Sequence, residues 1–316
     1  MISKKGRRDF IKKSAVAAAG VAFLPRAFRS AANTVENSVR LGGPVPGNFS
    51  DPALWVQAVR ALRYGAAICP VQPGASAETI RAFRNEAAKS NIVIAEVGVW
   101  NNMLDPDKAA AEAAIAKNVA SLQLADEIGA SCCVNISGAK GGIWDGPYAG
   151  NYTRETFDQI VLNVRYIIDQ VKPGNTFFTL EPMPYMLPDS PDSYLELIKA
   201  VGRKQFAVHL DPVNMISSPQ RYFNNAGFLK ECFSKLGPYI KSLHAKDIII
   251  LPKLTVHLDE CRPGLGTLDY RVFLQETAKL KDVPMILEHL EKQEDYALAA
   301  AYVRKVGAEA GISFTG

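Results

Sequence analysis

Four polar side chains in the second half of the chain stand at the ends of apolar runs. Glu181 ends TFFTLE, Asp211 ends FAVHLD, His244 lies in IKSLHA and Glu288 ends VPMILE. A buried strand that ends in such a group presents it to solvent or to a ligand. Alone, each would serve as a loop-capping acceptor or a rim residue, so their chemistry depends on whether the fold brings them together.

Eight short apolar runs predict buried strands, and helical patterns such as 51–65, 106–129 and 153–171 lie between them. This alternation over about 280 residues predicts a single closed (β/α)8 TIM barrel, with a parallel eight-stranded barrel inside outer helices. An open doubly wound sheet is the alternative, but LGGPVPG after the first run lacks GxGxxG spacing. The predicted strands are 39–45, 66–71, 91–100, 131–138, 176–182, 206–214, 240–248 and 283–290.

In such a barrel the C-terminal strand ends meet at one rim, which would bring these three carboxylates and the histidine into one mouth. Converging carboxylates raise one another's pKa unless a cation or a proton compensates them. A divalent metal ion would resolve this conflict. Three oxygen donors and one imidazole suit Mn²⁺, Mg²⁺ or Co²⁺ better than a closed structural zinc site.

The stretches LEPMP, HLDPVN, LHAKD, RPGLGTLDY and ILEHL, with the order Glu, Asp, His, Glu, resemble the xylose isomerase-like TIM barrel superfamily in its sugar phosphate isomerase/epimerase branch. The resemblance covers a domain over residues 39–316. It implies that Glu181, Asp211, His244 and Glu288 bind one divalent metal ion, with Mn²⁺ as the first choice. It also implies that Glu181 and Glu288 flank the substrate as catalytic acid and base.

The chain departs from the family pattern at two positions. Asn214 stands where sugar epimerases of this branch show a histidine, and Leu187 stands where ketohexose 3-epimerases show a second glutamate. Both family residues hold substrate hydroxyls, so the resemblance leaves the substrate class open, with Asn214 expected to contact it. Arg262 matches the family's arginine ahead of PGxG and is expected to bind a sugar oxygen, the alternative being a pair with Asp259 or Glu260.

Three further residues are predicted to contact the substrate. Lys246 follows His244 by two residues, so alternation returns it to the same face, where it would neutralise developing negative charge or else pair with Asp247. Trp100 and Trp144 lie in the loops after the third and fourth strands. Their flat faces suit a sugar, although packing of a lid would use the same residues.

This set of residues supports proton abstraction next to a carbonyl through a metal-bound enediolate, which is the chemistry of a sugar isomerase or epimerase. A lyase or dehydratase acting on an oxidised sugar, such as a 3-keto-glycoside, shares the first step and is the alternative. A non-enzymatic sugar-binding barrel would gain nothing from clustered carboxylates. The expected ligand is a small sugar or sugar derivative, and homo-oligomerisation stays open.

Residues 1–32 resemble a twin-arginine signal peptide, because Arg7 and Arg8 precede a short apolar segment. That segment is too short for stable membrane insertion, and its arginines stand together rather than along one face of a basic helix. Export to the periplasm or cell envelope is therefore predicted. The segment holds eight basic residues and one acidic residue, which leaves 28 basic against 31 acidic residues and argues against a nucleic-acid partner.

Overall fold

The computed structural model describes residues 37–316, so the predicted signal peptide lies outside the described residues. Eight parallel strands form a barrel, each paired with its neighbours, and the last closes on the first through Leu41 opposite Met285. This closure confirms the (β/α)8 barrel and excludes the open sheet. The barrel strands are β1 (Ser38–Gly43), β2 (Ala66–Ile68), β3 (Val93–Gly98), β4 (Cys132–Asn135), β5 (Phe178–Leu180), β6 (Phe206–Leu210), β7 (Ile240–Ala245) and β10 (Pro284–Leu287).

Three strands stand apart from the barrel pattern. The run 240–248 was predicted as one strand, but β7 ends at Ala245 and β8 (Asp247–Leu251) begins an antiparallel hairpin with β9 (His257–Cys261). The short β11 (Ser313–Phe314) pairs in parallel with the start of β1. The hairpin therefore stands beside the C-terminal end of β7, where no hairpin was predicted.

The three helices predicted from the sequence at 51–65, 106–129 and 153–171 each begin at a polar cap. Asp51, Asp107 and Thr153 each accept a backbone N–H in the first turn of the predicted helices, which satisfies a donor that the helix cannot. None of the helices within residues 37–316 is long and apolar enough to cross a membrane. The helices are α1 (Pro52–Ala61), α2 (Ala77–Lys89), α3 (Lys108–Ile128), α4 (Arg154–Val171), α5 (Pro191–Val201), α6 (Pro219–Phe223), α7 (Asn225–Leu236), α8 (Tyr270–Thr277) and α9 (Gln293–Glu309).

Apolar and polar side chains occupy different parts of the strands. Val208, Leu210 and Leu243 belong to the large apolar cluster that packs strands against helices. Alternate residues of the same strands, His209 and His244, are buried and polar. Because side chains alternate across a strand, a strand that packs against helices on one side directs its intervening residues into the barrel. The fold thus concentrates titratable groups inside the barrel.

Candidate metal centre

The C-terminal strand ends bring the four predicted residues together. Glu181 follows β5, Asp211 follows β6, His244 lies in β7 and Glu288 follows β10, and one ligand atom from each lies within 4.8 Å of the others. Nδ1 of His244 lies 3.0 Å from Oε1 of Glu181 and 2.8 Å from Oε2 of Glu288. Three carboxylates and one imidazole nitrogen thus face one point, which forms a candidate metal-binding cluster.

The turn after β6 holds the Asp211 carboxylate in place. Its Oδ1 accepts backbone hydrogen bonds from Val213 at 2.9 Å and from Asn214 at 3.2 Å. This is the local pattern by which aspartate stabilises a turn. Its Oδ2 is buried and accepts no hydrogen bond from any described residue, as is also true of Oε2 of Glu288. The nearest polar groups to these two oxygens are the side chains of Lys246 and His244, so both oxygens face groups that can carry positive charge, as in a cation site.

Lys246 contributes a buried positive charge to this cluster. Its Nζ lies 2.9 Å from Oδ2 of Asp211, 3.1 Å from Oε2 of Glu288 and 3.6 Å from Oε1 of Glu181. With three carboxylates at −1 each, one ammonium at +1 and His244 neutral, the form in which a histidine binds a metal, the centre carries a net charge of −2. A divalent cation neutralises that charge, so the residues present fit the metal that the resemblance implies.

The predicted alternative for Lys246, a pair with Asp247, is not formed. The Asp247 carboxylate instead accepts four backbone N–H groups at 2.8 to 3.1 Å, from Ile248, Gly264, Gly266 and Leu268. It therefore holds the segment after β9 against the start of the hairpin. Lys246 and His244 do share one face, as alternation predicted.

The acidic groups of the centre differ in proton affinity. Burial, together with the Glu288 charge, raises the pKa of Glu181 to about 7 against the opposing effects of His244 and Lys246. Burial also raises the pKa of Glu288, but the positive charges of His244 and Lys246 outweigh it and leave that pKa below its usual range. The pKa of Asp211 also lies below its usual range: burial raises it, but the positive charge of Lys246 lowers it, with help from His244. A bound divalent cation would lower the pKa of Glu181 again.

Of the two predicted tryptophans, Trp100 lies beside the centre. Its ring centroid is 6.1 Å from that of His244 at an angle of 36°, and 37% of the residue is exposed. The backbone of Trp100 is left-handed, with φ of 47°, and the ring lies so close to Gly98 that a Cβ there would overlap it. Trp144 is 42% exposed in the loop after β4, and its contact with a sugar stays a prediction.

Asn214 and Arg262 both make contacts with protein groups. Asn214 donates from Nδ2 to Oε1 of Glu181 at 3.1 Å, so it steadies a predicted ligand. Nε of Arg262 lies 3.4 Å from Oδ1 of Asp295 on α9, and its Nη1 donates to the Pro263 carbonyl. Arg262 therefore pairs with Asp295 and not with Asp259 or Glu260. Binding of a sugar by either residue stays a prediction.

A cleft of about 670 Å³ opens between the loops after β5 and β6 and the hairpin. Its size lies within the range of small-molecule sites, roughly 300 to 1,000 Å³. Another cleft of about 700 Å³ lies between the loops after β3 and β4. None of the four predicted ligands lines either cleft, but the first reaches the centre through Asn214, which contacts Glu181, and through Glu260, which lies near Lys246. The first cleft is lined by residues that include Tyr185, Asn214, Ser217, Val256, His257 and Glu260.

Two acidic residues near the centre were not predicted. Glu260 on β9 places Oε2 3.7 Å from Nζ of Lys246 and 3.3 Å from Nδ1 of His289. Since the hairpin itself was not predicted, Glu260 carried no usable signal. Glu96 on β3 places Oε1 3.4 Å from Nε2 of His244. A signal for Glu96 did exist, because it is the single charge in the apolar run NIVIAEVGVW.

Comparisons with known proteins agree with this architecture. A probable 3-DHS dehydratase from Bacillus anthracis shares 17% identity over 84% of this chain and 98% of its own, with a TM-score of 0.61. A xylose isomerase-like TIM barrel protein from Mycobacterium smegmatis, solved in complex with magnesium, shares 17% sequence identity over 86% of this chain and 97% of its own, with a TM-score of 0.60. The 3-keto-D-glucoside 4-epimerase of E. coli shares 12% sequence identity over 85% of this chain and 100% of its own, with a TM-score of 0.59.

These structural likenesses establish the fold. No curated protein matched the sequence. The family model described as xylose isomerase-like TIM barrel matches residues 53–306, which is most of the chain and includes all four predicted ligands. The protein is therefore a member of the xylose isomerase-like TIM barrel family.

Proposed function

We propose that this protein is a divalent-metal-dependent sugar isomerase or epimerase, with Mn²⁺ as the first choice of metal. One observation carries the proposal: Glu181 and Glu288 approach Nδ1 of His244 from β5 and β10, two strands separated in the barrel by β6 and β7. Two carboxylates that approach one centre from different sides can serve as acid and base for a substrate between them.

The residues of the chain divide the work of proton transfer. A bound divalent cation would polarise the substrate carbonyl and the neighbouring hydroxyl. Glu181 and Glu288, which approach the centre from β5 and β10, remove and return the proton. The ammonium of Lys246, which already lies beside both carboxylates, stabilises negative charge that develops on the substrate oxygen.

The chain's departures from the family pattern bear on the substrate. The side-chain amide of Asn214 donates a hydrogen bond to Glu181, and Leu187 packs against the apolar core. Neither supplies the side chain with which ketohexose 3-epimerases of the family hold a hydroxyl. A site without a polar side chain to hydrogen-bond a substrate hydroxyl has little preference for the substrate that carries this hydroxyl. Free ketohexoses are therefore expected to be poor substrates, and efficient 3-epimerisation of fructose would contradict this part of the proposal.

The cleft favours a second candidate, a lyase or dehydratase that acts on an oxidised sugar such as a 3-keto-glycoside. It extends from Asn214 and Glu260 beside the centre to Tyr185 and Val256 on the loops and hairpin. This gives room for a group attached to the reacting ring, which an isolated monosaccharide would leave unfilled. Expulsion of that group would follow the same initial proton abstraction.

Deuterium exchange tests the proposal and separates its two forms. Metal-loaded protein is incubated in D₂O with a panel of aldoses, ketoses and 3-keto-glycosides. An epimerase or isomerase places deuterium on one carbon of an intact sugar of changed structure, whereas a lyase releases the substituent. The Asp211→Asn variant serves as the control that retains the cleft. Absence of exchange on every panel member by metal-loaded protein would refute the proposal.

We also propose that residues 1–32 direct export through the twin-arginine route, which would place the barrel in the periplasm or cell envelope. The adjacent Arg7 and Arg8 ahead of a short apolar segment support it. Phosphorylated sugars are scarce outside the cytoplasm, so this location favours unphosphorylated or oxidised substrates.

A further inference from the structure

The barrel contains a buried carboxylate that the proposed chemistry does not use. Glu96 on β3 is 2% exposed, and its Oε2 accepts a hydrogen bond from the Ser242 hydroxyl at 3.2 Å. Its Oε1 lies 3.4 Å from Nε2 of His244 on β7. Because β3 and β7 are not neighbours in the barrel, these contacts cross its interior. Burying a charge costs free energy unless the charge is paired, so the buried position of Glu96 indicates a specific role.

The two ring nitrogens of His244 lie in different surroundings. Nδ1 faces the candidate metal centre, at 3.0 Å from Glu181 and 2.8 Å from Glu288. Nε2 faces away from that centre toward Glu96. A neutral imidazole has one N–H donor and one lone pair. If Nε2 carries the hydrogen and donates it to Glu96, the lone pair of Nδ1 is left for a cation.

The neighbours of Glu96 fix its direction. Ser242 donates to one carboxylate oxygen, which leaves the other for His244. The ring of His209 packs edge-on against His244 at 4.0 Å between centroids. Nδ1 of His209 lies 3.6 Å from Glu96 without a hydrogen bond to any described residue. His244 is therefore held by a carboxylate on one edge and by a packed ring on its side.

We propose that Glu96 is a positioning residue, which fixes the tautomer and orientation of His244 so that Nδ1 binds the metal. This inference rests on the proposed metal centre. A carboxylate that accepts the second N–H of a ligating histidine orients the ring, and its loss typically weakens metal binding about 10- to 100-fold. No other described residue has a carboxylate within hydrogen-bond distance of Nε2 of His244.

The histidine tautomer can be observed directly. The barrel has three described histidines besides His244, namely His209, His257 and His289, so ¹⁵N-histidine spectra are simple. Full-chain protein labelled with ¹⁵N-histidine and loaded with ¹¹³Cd²⁺ should show scalar coupling between the metal and Nδ1 of His244. The same ring should retain a protected hydrogen on Nε2. Coupling to Nε2 would overturn the inference.

Two variants separate positioning from general stability. Glu96→Met removes the acceptor at similar volume and should weaken Mn²⁺ binding about 10- to 100-fold. Glu96→Gln keeps an oxygen that can accept the Nε2 hydrogen, so it should recover part of that loss. Thr179→Val is the matched control, because Thr179 is equally buried on β5 and donates to the Cys133 carbonyl instead. It should leave Mn²⁺ affinity unchanged.

Affinity is measured by competition with a chromophoric chelator, and the Co²⁺ absorption spectrum reports the ligand geometry. The spectrum should change in Glu96→Met and not in Thr179→Val. A folded Glu96→Met variant with wild-type affinity and spectrum would overturn this inference alone. A second equivalent of Mn²⁺ that disappears with Glu96 would overturn it too, since Glu96 would then be a ligand. Wild-type protein that binds no metal would overturn the metal centre and, with it, this inference.

Discussion

The ammonium nitrogen of Lys246 lies 2.9 Å from Oδ2 of Asp211, and both side chains are fully buried. Removing charges from water is costly, and removing one partner of a buried pair leaves the other uncompensated. Lys246 thus supplies part of the positive charge that the carboxylates require, and a metal ion would supply the rest. The centre is therefore expected to respond in opposite ways to the loss of its lysine and the loss of its aspartate.

Lys246→Met is expected to strengthen metal binding and to destabilise the metal-free protein. Repulsion between Lys246 and the metal disappears, and a unit charge at about 4 Å is worth on the order of 4 kcal/mol at a dielectric of 20. We therefore expect Mn²⁺ affinity to rise about tenfold or more. The difference between the melting temperatures measured in Mn²⁺ and in EDTA should be larger for this variant than for the wild type. Lys253→Met, an exposed change in the hairpin turn, is the control. Weaker Mn²⁺ binding by Lys246→Met would contradict this account.

Asp211→Asn is expected to abolish tight metal binding while the barrel stays folded. The amide oxygen can still accept from Val213 and Asn214, so the turn after β6 should survive. The charged oxygen that faces the centre is lost. Desalted variant should carry less than one tenth of the wild-type metal in elemental analysis. Asp259→Asn removes an exposed carboxylate of the same cleft and should retain its metal. Stoichiometric, tightly held metal in Asp211→Asn would show that the ligand assignment is wrong.

Asp247→Asn tests the segment that follows β9. An amide group cannot accept all four backbone N–H bonds of the Asp247 carboxylate, and its own NH₂ would face two of those donors. Buried donors without a partner cost about 1 to 3 kcal/mol each, so the free energy of unfolding should fall by about 2 kcal/mol or more. Urea titration measures it. Asp158→Asn, in an exposed pair with Arg154, should change it little.

The sequence allowed prediction of those features that depend on strand periodicity and strand ends. The alternating runs predicted all eight barrel strands, and a parallel barrel necessarily collects the C-terminal ends at one rim. The convergence of Glu181, Asp211, His244 and Glu288 follows from that geometry. Residues whose partners are set by strand-end position were therefore predictable without any structure.

Residues whose partners lie across the barrel or in the hairpin were not predictable. Glu96 meets His244 only because the barrel closes, although the two are 148 residues apart in the chain. Adjacency favoured Asp247 as the partner of Lys246, but backbone amides already occupy that carboxylate. The hairpin was missed because β9 is a short, half-exposed strand without an apolar run. Sequence distance was thus a poor guide to electrostatic partners.

Replacing Arg7 and Arg8 together with lysine should prevent export. The twin-arginine route reads the arginine pair itself, so conservation of charge should not preserve recognition. Unprocessed precursor should accumulate in the cytoplasm, as measured by fractionation and by the mass of the intact chain. Replacing Lys4 and Lys5 with arginine alters neighbouring basic residues and should leave delivery unchanged. Normal delivery of the double lysine variant to the cell envelope would refute the export proposal.

Glu288→Gln separates catalysis from metal binding. The amide keeps the size of the side chain and one oxygen near Nδ1 of His244, so the fold and part of the metal affinity should survive. It cannot accept and return a proton, however, and general-base catalysis typically contributes about 10²- to 10⁴-fold in rate. Turnover and deuterium incorporation should therefore fall together by that order, even at saturating Mn²⁺. If Glu288 only balances charge, excess Mn²⁺ should restore the rate. Near-wild-type exchange at saturating metal would remove Glu288 from the catalytic residues and leave Glu181 as the sole candidate base.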